Sequence, residues 1–175
     1  MKSSLKHLLL LFILIFINIA TFAQNSNHIK FNGVPLNGSV ESFSQQLKKN
    51  GFVAKGDKSN YLFTGKFANL NVAVVPNVVN GNVGAVYIQF FNGTVMTSFP
   101  TYEKAKNIID GIIPRIEALY NCKFIEGIIA EPEVVFVSAA RTDEGCLAVE
   151  IKERSSNKYI LSLTIFDAIN NGWNN

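Results

Sequence analysis

The fold is decided by residues 133–166, EVVFVSAARTDEGCLAVEIKERSSNKYILSLTIF. Three runs within it, 133–140, 146–152 and 159–166, are rich in β-branched and aromatic residues and predict strands. The links Arg141-Thr142-Asp143-Glu144-Gly145 and Arg154-Ser155-Ser156-Asn157 are polar and of hairpin length. Links this short make neighbouring strands antiparallel, because a parallel pair needs a crossover of about a dozen residues or more.

Upstream, Thr101 follows Pro100 as a helix cap, with Glu103 in the first turn. Tyr102, Ala105, Ile109, Ile112, Ile116 and Leu119 continue at helical spacing. Pro114 lacks an N–H and clashes with the carbonyl of Asp110, and Gly111 weakens the same turn. A kink, or two short helices meeting near 111–114, is therefore expected. The first half has a similar order. A short strand at 28–31 ends in the turn-rich Asn32-Gly33-Val34-Pro35-Leu36-Asn37-Gly38. Ser39 then caps a helix with Glu41 in its first turn and Val40, Phe43 and Leu47 on one stripe. Gly51 takes the left-handed position after its end, and Phe52 folds back behind it. Strands follow at 61–67, 70–75 (stopping at Pro76) and 83–91, with an Asn80-Gly81-Asn82 turn between the last two. The expected class is α+β: two helix-plus-three-strand antiparallel units in tandem, repeats 28–92 and 100–167, with helices packed on one face of the sheet.

Residues 1–23 have the layout of a secretory signal. Lys2, Lys6 and His7 precede an unbroken apolar run at 8–17, and Thr21 and Ala23 place small side chains before a cleavage site. The segment falls short of the ~20 apolar residues of a membrane span. The mature domain is then 24–175, periplasmic or secreted, with no integral span after cleavage. Of 16 Lys+Arg, Lys2 and Lys6 leave with the signal, so 14 face 13 Asp+Glu. A mature charge near +1 and export both argue against nucleic acid. An oxidising compartment permits a bridge between Cys122 and Cys146, worth roughly 3 kcal/mol by the chain-entropy account; two buried thiols fit the sequence equally well.

Few residues can carry chemistry. His28 is the one histidine beyond the signal, and it is expected at an exposed strand edge. No serine lies in a nucleophile elbow, and two cysteines with one remote histidine do not make a zinc ligand set. Glu131 with Glu133, and Asp143 with Glu144, are the carboxylate pairs open to acid–base work; both read as solvated turn charges. Neither catalytic residues, nor cofactor, nor metal is expected. Aromatics are plentiful, with 14 Phe and 5 Tyr. A single antiparallel sheet with helices on one side leaves its other face to water. Aromatics left there would form a patch that favours a partner. Tyr61, Phe63, Phe67 and Tyr87 are the candidate binding residues.

The exported start, the segment HIKFNGVPLNGS at 28–39, the helix ending LKKNGF and the later helix-and-strand unit resemble small exported proteins of Gram-negative bacteria. The layout also resembles the β-lactamase-inhibitor-protein-like fold, in which two helix-plus-sheet repeats build a concave sheet surface. That resemblance covers about 28–167 and implies protein binding. A relative in outer-membrane assembly is a lipoprotein, and this chain departs from it in having no lipid-anchor cysteine. The leading expectation is a non-enzymatic exported protein that binds a protein or peptide of the cell envelope through the sheet face opposite the helices. The alternatives are a carboxylate-dependent hydrolase of the envelope and an oligomeric envelope scaffold.

Overall fold

The computed structural model describes residues 28–55, 61–93, 98–127, 131–155 and 158–172; the signal expected at 1–23 lies outside them. The chain is mostly β, with 49% of the described residues in strands and 22% in helices. A hairpin of β1 (Lys30–Phe31) and β2 (Val34–Pro35) leads to α1 (Val40–Lys49). A meander of β3 (Val53–Lys55), β4 (Leu62–Phe67), β5 (Leu70–Val79) and β6 (Asn82–Phe90) follows. Helix α2 (Tyr102–Tyr120) precedes β7 (Ile125–Glu126), β8 (Val134–Arg141), β9 (Gly145–Ser155) and β10 (Lys158–Asp167).

The expectation of two helix-plus-three-strand units in tandem is overturned. Strands β3 to β10 form one eight-stranded antiparallel sheet, ordered β3-β4-β5-β6-β10-β9-β8-β7, with β1 and β2 as a separate two-stranded sheet. Pairing of β6 with β10, from Phe90 opposite Leu161 to Ala85 opposite Phe166, joins both meanders in a single surface. Each meander also carries a short extra edge strand, β3 or β7, too brief to leave a period-2 signal in the sequence.

Local chemistry accounts for the elements. Ser39 Oγ accepts from the Ser42 N–H, and Thr101 Oγ1 from the Lys104 N–H, so both helix starts are capped. At the end of α1, Phe52 N–H donates to Leu47 O and Gly51 N–H to Lys48 O, the double bond of a Schellman end, with Gly51 at φ 86°. Helix α2 runs through Pro114 as one element, where two short helices were an alternative. Pro114 and Asp110 are exposed, so the carbonyl that the proline leaves unpaired can bond water. Strand β5 likewise passes the expected stop at Pro76, and its register shifts one residue later, between Asn77 and Val78. Asn32-Gly33 and Asn80-Gly81 turn with positive φ at both positions, as tight hairpins require.

One face of the sheet is the core. Phe63, Val74, Ile88, Leu163 and Val149 follow one another in cross-strand register, as do Val72, Phe90, Leu161, Ile151 and Phe136. All are buried against Phe43 and Leu47 of α1 and Ala105, Ile109, Ile112 and Ile116 of α2. Phe31 of the first hairpin packs on Phe52 and Phe67, with ring centroids 5.6 and 5.2 Å apart.

His28 is a second correction. It is 6% exposed, not at an open edge, and its Nδ1 lies 3.0 Å from Oδ2 of the fully buried Asp167. Asp167 also accepts from the Ile29 N–H at 3.1 Å and, through Oδ1, from the Asn170 N–H at 2.8 Å. The turn after β10 adds amide bonds, from Asn170 Nδ2 to Leu36 O and Val83 O and from Asn171 Nδ2 to Gly84 O. The segment that opens at His28 is thus bolted to β10 by polar groups that all find partners.

Two substitutions test this frame by urea unfolding. Asp167→Ala strands three donors, each costing about 1–3 kcal/mol when buried without an acceptor, so a loss of roughly 3 kcal/mol or more is expected. At Gly145 a Cβ would fall 2.0 Å from the Phe166 carbonyl oxygen. Backbone cannot yield as a side chain does, so Gly145→Ala should cost more than about 2 kcal/mol. An unchanged midpoint for either variant contradicts the packing described.

Candidate functional site

The sheet face opposite the helices carries no covering element among the described residues. Its side chains follow from the alternation that sends Val74, Ile88 and Leu163 inward. One row across it is Thr64, Ala73, Gln89, Ser162, Glu150 and Val137; the next is Val75, Tyr87, Thr164, Ala148 and Ala139. Apart from Gln89 these are small, hydroxyl-bearing or apolar residues, with Glu150 the single charge in the two rows. Tyr87, Val75 and Ala139 are exposed, the first two at 38% and 41%. Charge gathers at the margin, where Lys152 Nζ lies 3.0 Å from Glu131 and 3.4 Å from Glu150. The hydrogen bond to Glu131 holds the Lys152 ammonium charged above its ordinary range.

The four expected binding residues do not assemble here. Tyr87 does lie on the open face. Phe63 and Phe67 point the other way and are core, 1% and 4% exposed. Tyr61 is half-buried on the helix side, where its hydroxyl donates to Glu41 Oε1 of α1 at 2.7 Å. Of the four, the open face therefore holds Tyr87 alone; half-buried Phe166, two residues along β10 from Thr164, points the same way. Among the described residues Tyr87 is the one large aromatic that stands exposed.

The carboxylates are also dispersed. Glu131 is exposed and tied to Lys152, Glu133 is exposed beside it, and Asp143 and Glu144 sit on the separate β8–β9 turn. No group of three or more His, Cys, Asp or Glu among the described residues could hold a metal ion. Both cysteines are free thiols. Cys122 belongs to the helix-side core, whereas Cys146 alternates outward from Leu147 on the other face, so the sheet separates them. Burial pushes both thiols up, leaving little thiolate at neutral pH.

A feature without a sequence signal is a cleft at the C-terminal end of α2. Turns distant in sequence form its walls: Asn32-Gly33, Ala68-Asn69 and Leu119-Tyr120-Asn121, together with Lys30, Lys66, Phe67 and Glu144, around about 690 Å³. A second hollow of about 520 Å³ shares Tyr120, Asn121 and Glu144 and adds Arg141, Thr142 and Asp143. The Tyr120 hydroxyl donates to Lys30 O at 2.8 Å and burial pushes its ionisation up, so it is a structural pin. Ala68 sits at φ 50°, a left-handed conformation that costs a side-chain-bearing residue about 1–2 kcal/mol, and Arg115 Nη1 holds its carbonyl at 3.1 Å.

Comparison with family models, with curated proteins and with solved structures finds no match to this chain. No helix of the described residues is long and apolar enough to cross a membrane. The strand edges are guarded: β3 has three residues ending in Lys55, and β7 two ending in Glu126. Short charged edges of this kind oppose edge-to-edge association.

The Glu41–Tyr61 contact makes a pH prediction. The hydrogen bond to Tyr61 lowers the Glu41 carboxyl from 4.5, and the same bond raises the Tyr61 phenol from 10.0. The stabilisation from Glu41 is present above 4.5 and lost as pH falls through its lowered value; that from Tyr61 is lost as pH rises through its raised one. Phenolate absorbance should show Tyr61 titrating above 10.0, and Glu41→Gln should bring it down towards 10.0. Titration of both proteins at the same pH would disprove the contact.

Proposed function

We propose that the chain is an exported, non-enzymatic binding protein that holds a protein partner on the open face of its eight-stranded sheet. One observation carries the reading: two neighbouring cross-strand rows, with Tyr87 and Val75 exposed in one and Ala73 and Ser162 buried low in the other, have no covering element among the described residues and hold a single charge. Interface cores are depleted of charge and enriched in tyrosine, with polar residues at the rim. The Lys152–Glu131–Glu150 cluster has the place of such a rim. Small side chains across the rows leave a broad surface, which suits a folded partner over a small molecule that needs a concave pocket. Export rests on the layout of residues 1–23, and the resemblance to a fold whose members bind proteins favours the same reading. The dispersed carboxylates give the hydrolase alternative no shielded pair to work with.

The experiment is photocrosslinking in the producing cell's envelope from a reactive group at position 164, beside Tyr87 in the register. The same protein carrying Tyr87→Asp and Val75→Asp is the comparison. One discrete adduct is expected, reduced at least about tenfold in the variant, because removing a central interface anchor costs 2 kcal/mol or more by order of magnitude. Both positions are exposed, so the variant should unfold at nearly the same urea concentration. An adduct of equal yield from both proteins, or none from either, sinks the reading.

A further inference from the structure

We infer that the cleft at the end of α2 is a second site, independent of the open sheet face, for a short peptide bearing both free termini. The cleft is bipolar. Lys30 and Lys66 outnumber Glu144 in the lining of the larger hollow, and Asp143 and Glu144 outnumber Arg141 in that of the smaller one beside it, so the two carry opposite net charge. None of these five has an ion-pair partner among the described residues, although the molecule pairs Lys106 with Asp110, Lys123 with Glu117 and Lys152 with Glu131. The carbonyl end of α2, whose last turn contains no basic residue, borders both hollows through Tyr120 and Asn121. A helix C-terminus carries about half a negative charge and favours a cation. A ligand carboxylate therefore belongs at the lysines, and its ammonium group at Asp143 and Glu144.

What lies between these poles selects a peptide over other zwitterions. Asn32, Asn69 and Asn121 all line the larger hollow, each at a positive φ that turns its backbone at the rim. Their side-chain amides have no hydrogen bond to other described residues and are exposed. An amide offers two donors and an acceptor, the complement of a peptide group. Leu119, 64% exposed beside buried Phe67, supplies an apolar contact for a side chain. The volume of about 690 Å³ suits a small ligand.

The test uses Gly-Leu-Gly, its C-terminal amide and its N-acetyl form as probes, followed by backbone amide shifts of the folded protein. The free tripeptide should move signals of Gly33, Asn69, Asn121 and Glu144 in one saturable curve. Amidation and acetylation should each weaken binding about tenfold, one lost charge contact apiece. In the variant Lys30→Gln with Lys66→Gln, amidation should no longer matter while acetylation still does. Asp143→Asn with Glu144→Gln should show the reverse pattern. All four positions are exposed, and the comparison of three peptides on the unaltered protein stands even if a variant misfolds. No saturable shift at the cleft, equal binding of the three peptides, or the two variants exchanging their patterns overturns the inference.

Discussion

The architecture depends on one pairing, that of β6 with β10. Each four-stranded meander alone would present a long inner strand to solvent, with a ladder of unpaired N–H and C=O groups and half of a hydrophobic surface. Placing Phe90, Ile88 and Val86 beside Leu161, Leu163 and Ile165 removes both open edges at once and makes the core continuous beneath both helices. What remains at the outside is short and charged, ending in Lys55 on one side and Glu126 on the other. Among the described residues, a sheet closed in this way keeps one face without a covering element and a cleft among the turns at the end of α2.

Much of the fold was legible in the sequence because its signals are local. Caps at Ser39 and Thr101, the reversal at Gly51 with Phe52 and the two Asn-Gly turns each need only a few neighbouring residues, and each stands where those residues put it. The failures were of a different kind. Whether two meanders remain separate or fuse depends on which edges meet, and no short stretch encodes that. A stop is expected at Pro76 and a kink or a break into two helices at Pro114, yet each element runs through, with a register shift beside one and solvent beside the other to accommodate the missing donor. The contact between His28 and Asp167 spans 139 positions and leaves no trace in either local segment.

The candidate site shows the same boundary at finer scale. Alternation correctly separates Tyr87 from Phe90, but it cannot say on which side Phe63 falls, because that parity depends on register across two hairpins. With Phe63 opposite Val74 and Val74 opposite Ile88, Phe63 and Phe67 turn to the helices and Tyr87 stays outside. The asparagine-lined cleft was beyond reach for a similar reason. Asn32, Asn69 and Asn121 look like ordinary turn residues one at a time, and only the assembled fold brings them to one hollow.

The bond between His28 and Asp167 also dictates an order of events. A growing chain presents the β1–β2 hairpin before either meander, but the carboxylate that holds His28 beside it arrives only with β10. Until then His28 and the Ile29 N–H lack their acceptor, and a nascent or truncated chain ending before β10 also lacks the central partner of β6. Closure over so long a loop is entropically slow compared with local pairing. The polypeptide should therefore stay loose while it is being synthesised and lock in a single late step, a schedule that keeps it threadable until its final strand is in place.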